Sequence, residues 1–344
     1  MQLDPPGPGS VSVRLAASGV CHTDLSLREG SIPALLPAVL GHEGAGVVTA
    51  LGEGVDGLTV GDHVVITWVA PCRRCRLCLA GQPELCEHGI DHAFAGPYGT
   101  ADGTPVYCGL GTGTFAEETV VPAAAAIRID PDFPLELAAL AGCAVCTGVG
   151  AVVNAARVRP GETVAVVGCG GVGLAAIQGA RLAGAAAIIA VDRVPAKLTM
   201  ALGCGATDTV DASSVDPVAA VRRLTGGGVD HALEVVGLSS TILASYQMVR
   251  RGGTVTVVGA GGQDDLVSLP AMSLMADAKR IQGTVYGSTD PARDIPRLLA
   301  LASSGALDFS LLVSARIGLD DVDDAFRAML AGEVARSLIV LDQA

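Results

Sequence analysis

The 344 residues are enough for two domains, each with its own core. A net charge of −13 argues against the clustered basic surface that binding to nucleic acid or to an anionic membrane requires, so neither is expected as a partner. Half of the residues are hydrophobic, but Gly, Pro or charge breaks every apolar run short of a membrane span, and aromatics at 3% leave Ala, Val, Leu and Ile to build the core.

From Ser10 to about Val121 the apolar runs are short and β-branched: Val11 to Leu15, Gly46 to Leu51, Asp62 to Thr67 and Phe115 to Val121. This patterning predicts an irregular, mostly β domain. Within it lie Cys72, Cys75, Cys78 and Cys86, separated by gaps of two, two and seven residues. Two short loops and a longer one let four thiolates converge on one tetrahedral Zn²⁺. A disulfide pair is one alternative, opposed by the absence of a signal-like apolar start to carry the chain out of a reducing cytoplasm. An iron–sulfur cluster is the other, opposed by the long last gap containing Gly81, Pro83 and Glu84. Arg73, Arg74 and Arg76, the one locally basic run, are read as balancing the thiolate charge.

From Thr163 the pattern changes to apolar strands spaced by helical segments. Strands are predicted at Thr163 to Val167, Ala187 to Val191, Asp230 to Val236, Thr254 to Val258 and Arg280 to Val285, with a final one at Ser337 to Leu341. Such alternation implies parallel βαβ units. Gly168, Gly170, Gly171, Val172 and Gly173 follow the first of these strands and open a helix running to about Ala183, which is the setting a dinucleotide-binding turn needs. Gly168 would make the tight turn, Gly170 would admit a pyrophosphate to the backbone, and Gly173 would let helix pack on strand. Asp192 ends the next strand, nineteen positions after Gly173, where a carboxylate binds the ribose 2′-hydroxyl. That favours NAD, with NADP left open by Arg193 next door.

Cys21, His42 and Cys143 would together suit a catalytic Zn²⁺ with an open fourth position. Their separation along the chain means that spacing alone does not link them, and each taken singly is also an ordinary buried residue. The stretches CHTDL, GHEGAGVV, GDHVV, the cysteine loop, GCAVCTGVGA and VVGCGGVGL, in that order, resemble the zinc-dependent medium-chain alcohol dehydrogenases over nearly the whole chain.

The resemblance implies an α/β fold: a Rossmann doubly wound parallel sheet plus an irregular, mostly β GroES-like catalytic domain. The domains would be 1–145 (GroES-like), 146–287 (Rossmann, NAD-binding) and 288–344 (rejoining the first), with substrate and nicotinamide meeting in the cleft. It implies two Zn²⁺ per chain, one held by Cys72, Cys75, Cys78 and Cys86, the other by Cys21, His42 and Cys143, with Asp24 and Glu43 as the acidic surroundings and Glu43 counted with the ligand set. Thr23 would bond the substrate oxygen, His22 would face the cofactor phosphates, Asp192 and Lys197 the adenosine ribose, and Arg336 the pyrophosphate. Trp68 is either an aromatic wall of the alcohol pocket or a core residue.

Three departures from the family pattern stand out. Ser26 replaces the His that many relatives place five residues after the first zinc ligand, so the proton relay is expected to lack a group that buffers near neutral pH. Ile32 and Ile90 occupy the positions where the glutathione-dependent formaldehyde branch carries an acid and an Arg, which implies an apolar pocket. A first hairpin of about twenty residues is missing ahead of Val11, implying either an upstream start or an exposed sheet edge. The remaining Cys108, Cys146, Cys169 and Cys204 read as small buried apolar residues. The expected function is oxidation of a primary alcohol, aromatic or allylic, to its aldehyde with NAD, in a cytoplasmic homodimer or homotetramer. The alternatives are a polyol or secondary-alcohol dehydrogenase and a non-catalytic zinc-bearing scaffold, the last distinguished by binding one ion rather than two.

Overall fold

The computed structural model describes residues 1–341, and among them the strands form sheets of four, six and seven. The chain divides into two units. The first comprises Met1–Ala144, Asp290–Ser304 and the residues from Val313 onward; the second comprises Val145–Thr289 and Gly305–Leu312.

The first unit is built on the strand Ser10–Val20, which pairs antiparallel with Gly44–Leu51, Glu118–Pro122 and the late strand Ser337–Val340. Val11, Val13 and Leu15 are almost wholly buried, and they pack with Val48, Val64, Ile66, Val121, Phe326 and Ile339. Each such side chain contributes about 1.5–3 kcal/mol on leaving water, which fixes the register that brings the ends of these strands together. The four-stranded sheet contains three short strands that alternation did not reveal, Gln2–Leu3, Ala38–Val39 and Gly99–Ala101, because two or three residues carry no period. The strand predicted from Phe115 begins only at Glu118.

The second unit holds a parallel sheet in the order Asp208–Asp211, Ala187–Asp192, Thr163–Val167, Val229–Glu234, Val249–Val257, Arg280–Gly283. Strand order reverses beside Thr163–Val167, the switch point at which α/β sheets bind ligands beyond the strands' carboxyl ends. Four of the five residues in that strand are buried, as a strand covered by helices on both faces requires. The edge strand Asp208–Asp211 escaped prediction because only Val210 of its four residues is buried. Gly305–Leu312 lies with this unit rather than the first. Gln178, 2% exposed on the helix Gly171–Leu182, donates to the Asp308 carbonyl at 2.8 Å and accepts from the Asp308 amide at 2.8 Å.

No single helix among the described residues is long and apolar enough to cross a membrane.

Candidate active site

Cys21 follows the strand Ser10–Val20 and is the N-cap of the helix His22–Arg28. Folding places Asp24, one turn on and completely buried, against it. One carboxylate oxygen of Asp24 accepts from the Cys21 amide at 3.1 Å; the other accepts from the Gly41 amide at 3.0 Å and meets Nδ1 of His42 at 2.8 Å. Gly41 has φ +96, and a Cβ there would sit 2.5 Å from the Phe115 ring, so only glycine turns the chain tightly enough to deliver His42. With Nδ1 occupied by the carboxylate, the imidazole turns Nε2 into the interior, where it has no hydrogen-bond partner.

Donor atoms of Cys21, His42, Glu43 and Cys143 all lie within 4.8 Å of one another, and all four residues are buried. Glu43 accepts from the Ala144 amide at 3.1 Å through one oxygen, while the other, like His42 Nε2, is buried without a hydrogen-bond partner. Two sulfurs, one imidazole nitrogen and one carboxylate oxygen turned inward fit Zn²⁺.

The electrostatics agree. Hydrogen bonding from Cys143, helped by the charges of Arg336 and His42, holds the Cys21 thiol well below its ordinary range despite burial. The same hydrogen bond, with burial, pushes Cys143 well up. Burial opposes a charged His42, but Asp24 and Cys21 outweigh it and raise its pKa well above normal. Burial pushes Glu43 up to about 7, against the pull of Arg336.

Arg336, 4% exposed, donates to the Val20 carbonyl at 2.8 Å and pairs with Glu43 at 3.3 Å. The structure thus sets its guanidinium as the counter-cation of the buried acid and thiolate, a position that the expected pyrophosphate contact did not foresee. No local signal pointed there, since Arg336 lies 293 positions after Glu43. Thr23 lies beside the cluster, its hydroxyl 3.8 Å from Cys21 Sγ. His22 is exposed, and Ser26 is half-buried on the same helix. Trp68 is half-buried just beyond the strand His63–Ile66.

Cys72, Cys75, Cys78 and Cys86 form the second converging group. Backbone amides aim at the sulfurs: Cys75 N at Cys72 Sγ and Cys72 N at Cys86 Sγ, both 3.3 Å, and His88 N at Cys86 Sγ, 3.4 Å. Amide hydrogen bonds lower the Cys75 thiol to about 6, whereas burial raises Cys78 to about 12. The Arg73 guanidinium has a carboxylate partner as well. It forms a two-pronged pair with Asp290 at 2.9 and 2.6 Å and at the same time feels the charges of Cys78 and Cys86, which raise its pKa further. None of the ten cysteines forms a disulfide; Cys146, Cys169 and Cys204 are buried, and Cys108 is only half-buried.

In the nucleotide unit, Gly168 turns with φ +97, Gly170 faces open space, and a Cβ on Gly173 would lie 1.9 Å from the Gly168 carbonyl oxygen. Gly171 and Val172 begin the helix Gly171–Leu182, leaving free amides at its N-terminus for a phosphate. Asp192 is oriented by the Cys169 amide at 2.7 Å and by the Arg193 and Val194 amides at 2.7 and 3.0 Å. Lys197 is half-buried on the helix Pro195–Cys204. The open turn and the anchored acid fit a dinucleotide.

Residues 7–131 match the alcohol dehydrogenase GroES-like domain, and residues 171–304 match the zinc-binding dehydrogenase domain. An S-(hydroxymethyl)glutathione dehydrogenase of Synechocystis is 37% identical over 98% of this chain and 94% of its own. Benzyl alcohol dehydrogenase of Acinetobacter calcoaceticus superposes with a TM-score of 0.91 at 34% identity, over 99% of this chain and 94% of that one. A zinc-binding dehydrogenase of Sinorhizobium meliloti, solved with NADP bound, superposes with a TM-score of 0.81 at 30% identity over 98% and 94%. The chain is therefore an enzyme that uses zinc and a nicotinamide cofactor, and it belongs to the zinc-dependent medium-chain alcohol dehydrogenase family.

Proposed function

We propose that the enzyme oxidises an apolar primary alcohol, aromatic or allylic, to its aldehyde with NAD, in a reducing cytoplasm. The observation that carries the chemistry is the buried set of Cys21, His42 and Cys143 with the unpartnered Nε2 of His42 turned into it. Cys21, His42 and Cys143 would hold Zn²⁺, which would supply Lewis acidity toward the alcohol oxygen, and bound NAD would accept the hydride. Asp24 fixes the imidazole. Arg336 balances Glu43 and the thiolate, so that the site tolerates their negative charge while buried. Thr23 takes the alcohol proton at its hydroxyl as it passes its own on, and Ser26, one turn along the helix, hands it to water. Ser does not titrate near neutral pH, so the relay contributes no ionisation of its own.

In the second unit, the glycine turn receives the pyrophosphate and the Asp192 carboxylate the ribose hydroxyls. A fixed negative charge at that point repels a 2′-phosphate, which supports NAD over NADP. Ile32 and Ile90 support an apolar substrate: a glutathionyl group would bring its carboxylates to side chains unable to pair with them. The name of the Acinetobacter relative agrees with an aromatic alcohol, while that of the Synechocystis relative makes the glutathione adduct the comparison to run. A second copy would add to the edge strand Arg280–Gly283; Met272 and Met275, on the helix Ala271–Ala276 that precedes it in the chain, are each 71% exposed.

A panel of benzyl alcohol, cinnamyl alcohol, hexanol, 2-butanol, sorbitol and S-(hydroxymethyl)glutathione, each with NAD and with NADP, tests the reading. Benzyl or cinnamyl alcohol with NAD is expected to give the highest kcat/KM. Preference for the glutathione adduct, for sorbitol or for NADP would overturn the corresponding part. Light scattering tests the dimer.

A further inference from the structure

Arg222, Thr225, Gly226, Gly227, Gly228, Arg250, Arg251, Asp277 and Lys279 line a cavity of about 460 Å³ in the second unit. It opens where the strands Val229–Glu234, Val249–Val257 and Arg280–Gly283 begin. Gly168 and Asp192 lie at the other ends of neighbouring strands, about 17 Å away for a strand of ordinary length. The cavity is therefore distinct from the dinucleotide turn.

Its charge is out of keeping with the chain. Acids outnumber bases 35 to 22 overall, yet four cations meet here. Two of them have carboxylate partners: Arg250 pairs with Asp230 at 2.6 Å, and Arg251 faces Asp277 at 3.6 Å. Arg222 and Lys279 form no ion pair among the described residues. Each instead donates to a backbone carbonyl near the end of the helix Ser239–Met248, Arg222 to Gln247 at 3.2 Å and Lys279 to Tyr246 at 2.9 Å, and Lys279 lies over the Tyr246 ring at 4.7 Å. One carbonyl uses only one of the five donors of a guanidinium or one of the three of an ammonium. Burial depresses the Lys279 pKa; Asp277 offsets part of this, and the charge of Arg222 adds to it. The two cations are thus held close enough to repel, with donors to spare, around a space large enough for a small metabolite. On one wall the chain is reduced to backbone: at Gly226 and Gly227 a Cβ would meet nothing within 4 Å.

We propose that this cavity binds a phosphorylated small molecule, with Arg222 and Lys279 as the cations that hold its phosphate oxygens. Planar guanidinium and compact ammonium are the two side chains best suited to phosphate, one as a fork and the other as a point charge. Arg250 and Arg251, also in the lining, are already paired with Asp230 and Asp277.

The test uses the zinc-loaded enzyme saturated with NADH, so that the dinucleotide turn is filled, and titrates inorganic pyrophosphate calorimetrically. One pyrophosphate per chain is expected. The affinity should fall at least tenfold in Arg222→Gln and vanish in the Arg222→Gln, Lys279→Gln double variant, with alcohol turnover unchanged in both. Absence of binding by the wild-type enzyme, or equal affinity in Arg222→Gln, would overturn the proposal. Because Lys279 also packs on Tyr246, Arg222→Gln decides the matter alone if the double variant does not fold.

Discussion

Asp24→Asn is the change that most directly probes how the metal site is held. The carboxylate receives three hydrogen bonds, from Cys21 N and Gly41 N and at His42 Nδ1. An amide of the same shape offers one acceptor oxygen and one NH₂. If the oxygen takes the place that faces Gly41 and His42, the NH₂ points at the Cys21 amide, donor against donor. If it faces Cys21 instead, the NH₂ meets Nδ1 and forces the proton onto Nε2, which then has no lone pair for a metal. Either way a buried donor loses its acceptor, at about 1–3 kcal/mol. Loss of an outer partner of a ligating His costs about 10–100-fold in metal affinity. Competition against a chromophoric chelator reads this directly, with the ion in the Cys72–Cys86 loop serving as an internal reference that should not move. Unchanged affinity at both sites in Asp24→Asn would refute the claim that Asp24 sets the tautomer and orientation of His42.

Cys86→Ser removes a sulfur that two backbone amides address, and elemental analysis is expected to find one zinc per chain instead of two, with Tm lowered by about 5 °C or more. Gly173→Ala drives a methyl to within 1.9 Å of the Gly168 carbonyl oxygen; urea unfolding should show a loss of about 1–3 kcal/mol, with NADH affinity falling too. Asp192→Ala should lower kcat/KM for NAD about 10–100-fold through loss of a charged hydrogen bond and narrow the preference over NADP. For pH, burial raises the Asp230 pKa, but donation from Thr163 and Arg250 outweighs it and holds the carboxyl below its ordinary range. A depressed folded pKa stabilises above the unfolded value and ceases to do so as pH falls through the folded one. The gap in unfolding free energy between wild type and Asp230→Asn should be constant from about pH 8 to pH 5 and close below about pH 4.

The elements legible in the sequence were those with a period or a short-range constraint. Thr163–Val167 was read to the residue because a strand covered on both faces is continuously apolar. The glycine turn was legible because tightness, open approach and close packing each demand glycine at a fixed offset, and the geometry at Gly168, Gly170 and Gly173 follows those demands. Short or polar strands such as Ala38–Val39 and Asp208–Asp211 were not, since they are held by their neighbours rather than by their own pattern.

The two metal sites divide along the same line. Four cysteines within fifteen residues can reach only a small volume, so local chain geometry already implies their convergence, and the sequence by itself determined that site. Cys21, His42 and Cys143 are tied by no such constraint: the closing of a loop of a hundred residues is set by the sheets and cores that bring its ends together, not by the residues at those ends. Only the tertiary structure decided that Asp24 would anchor His42, that Arg336 would cross 293 positions to face Glu43, and that Arg73 would pair with Asp290. The first two are buried charges whose partners are chosen by packing, because a carboxylate or guanidinium removed from water must be paired wherever the fold happens to leave it; the third is an exposed guanidinium that the fold sets beside a distant acid.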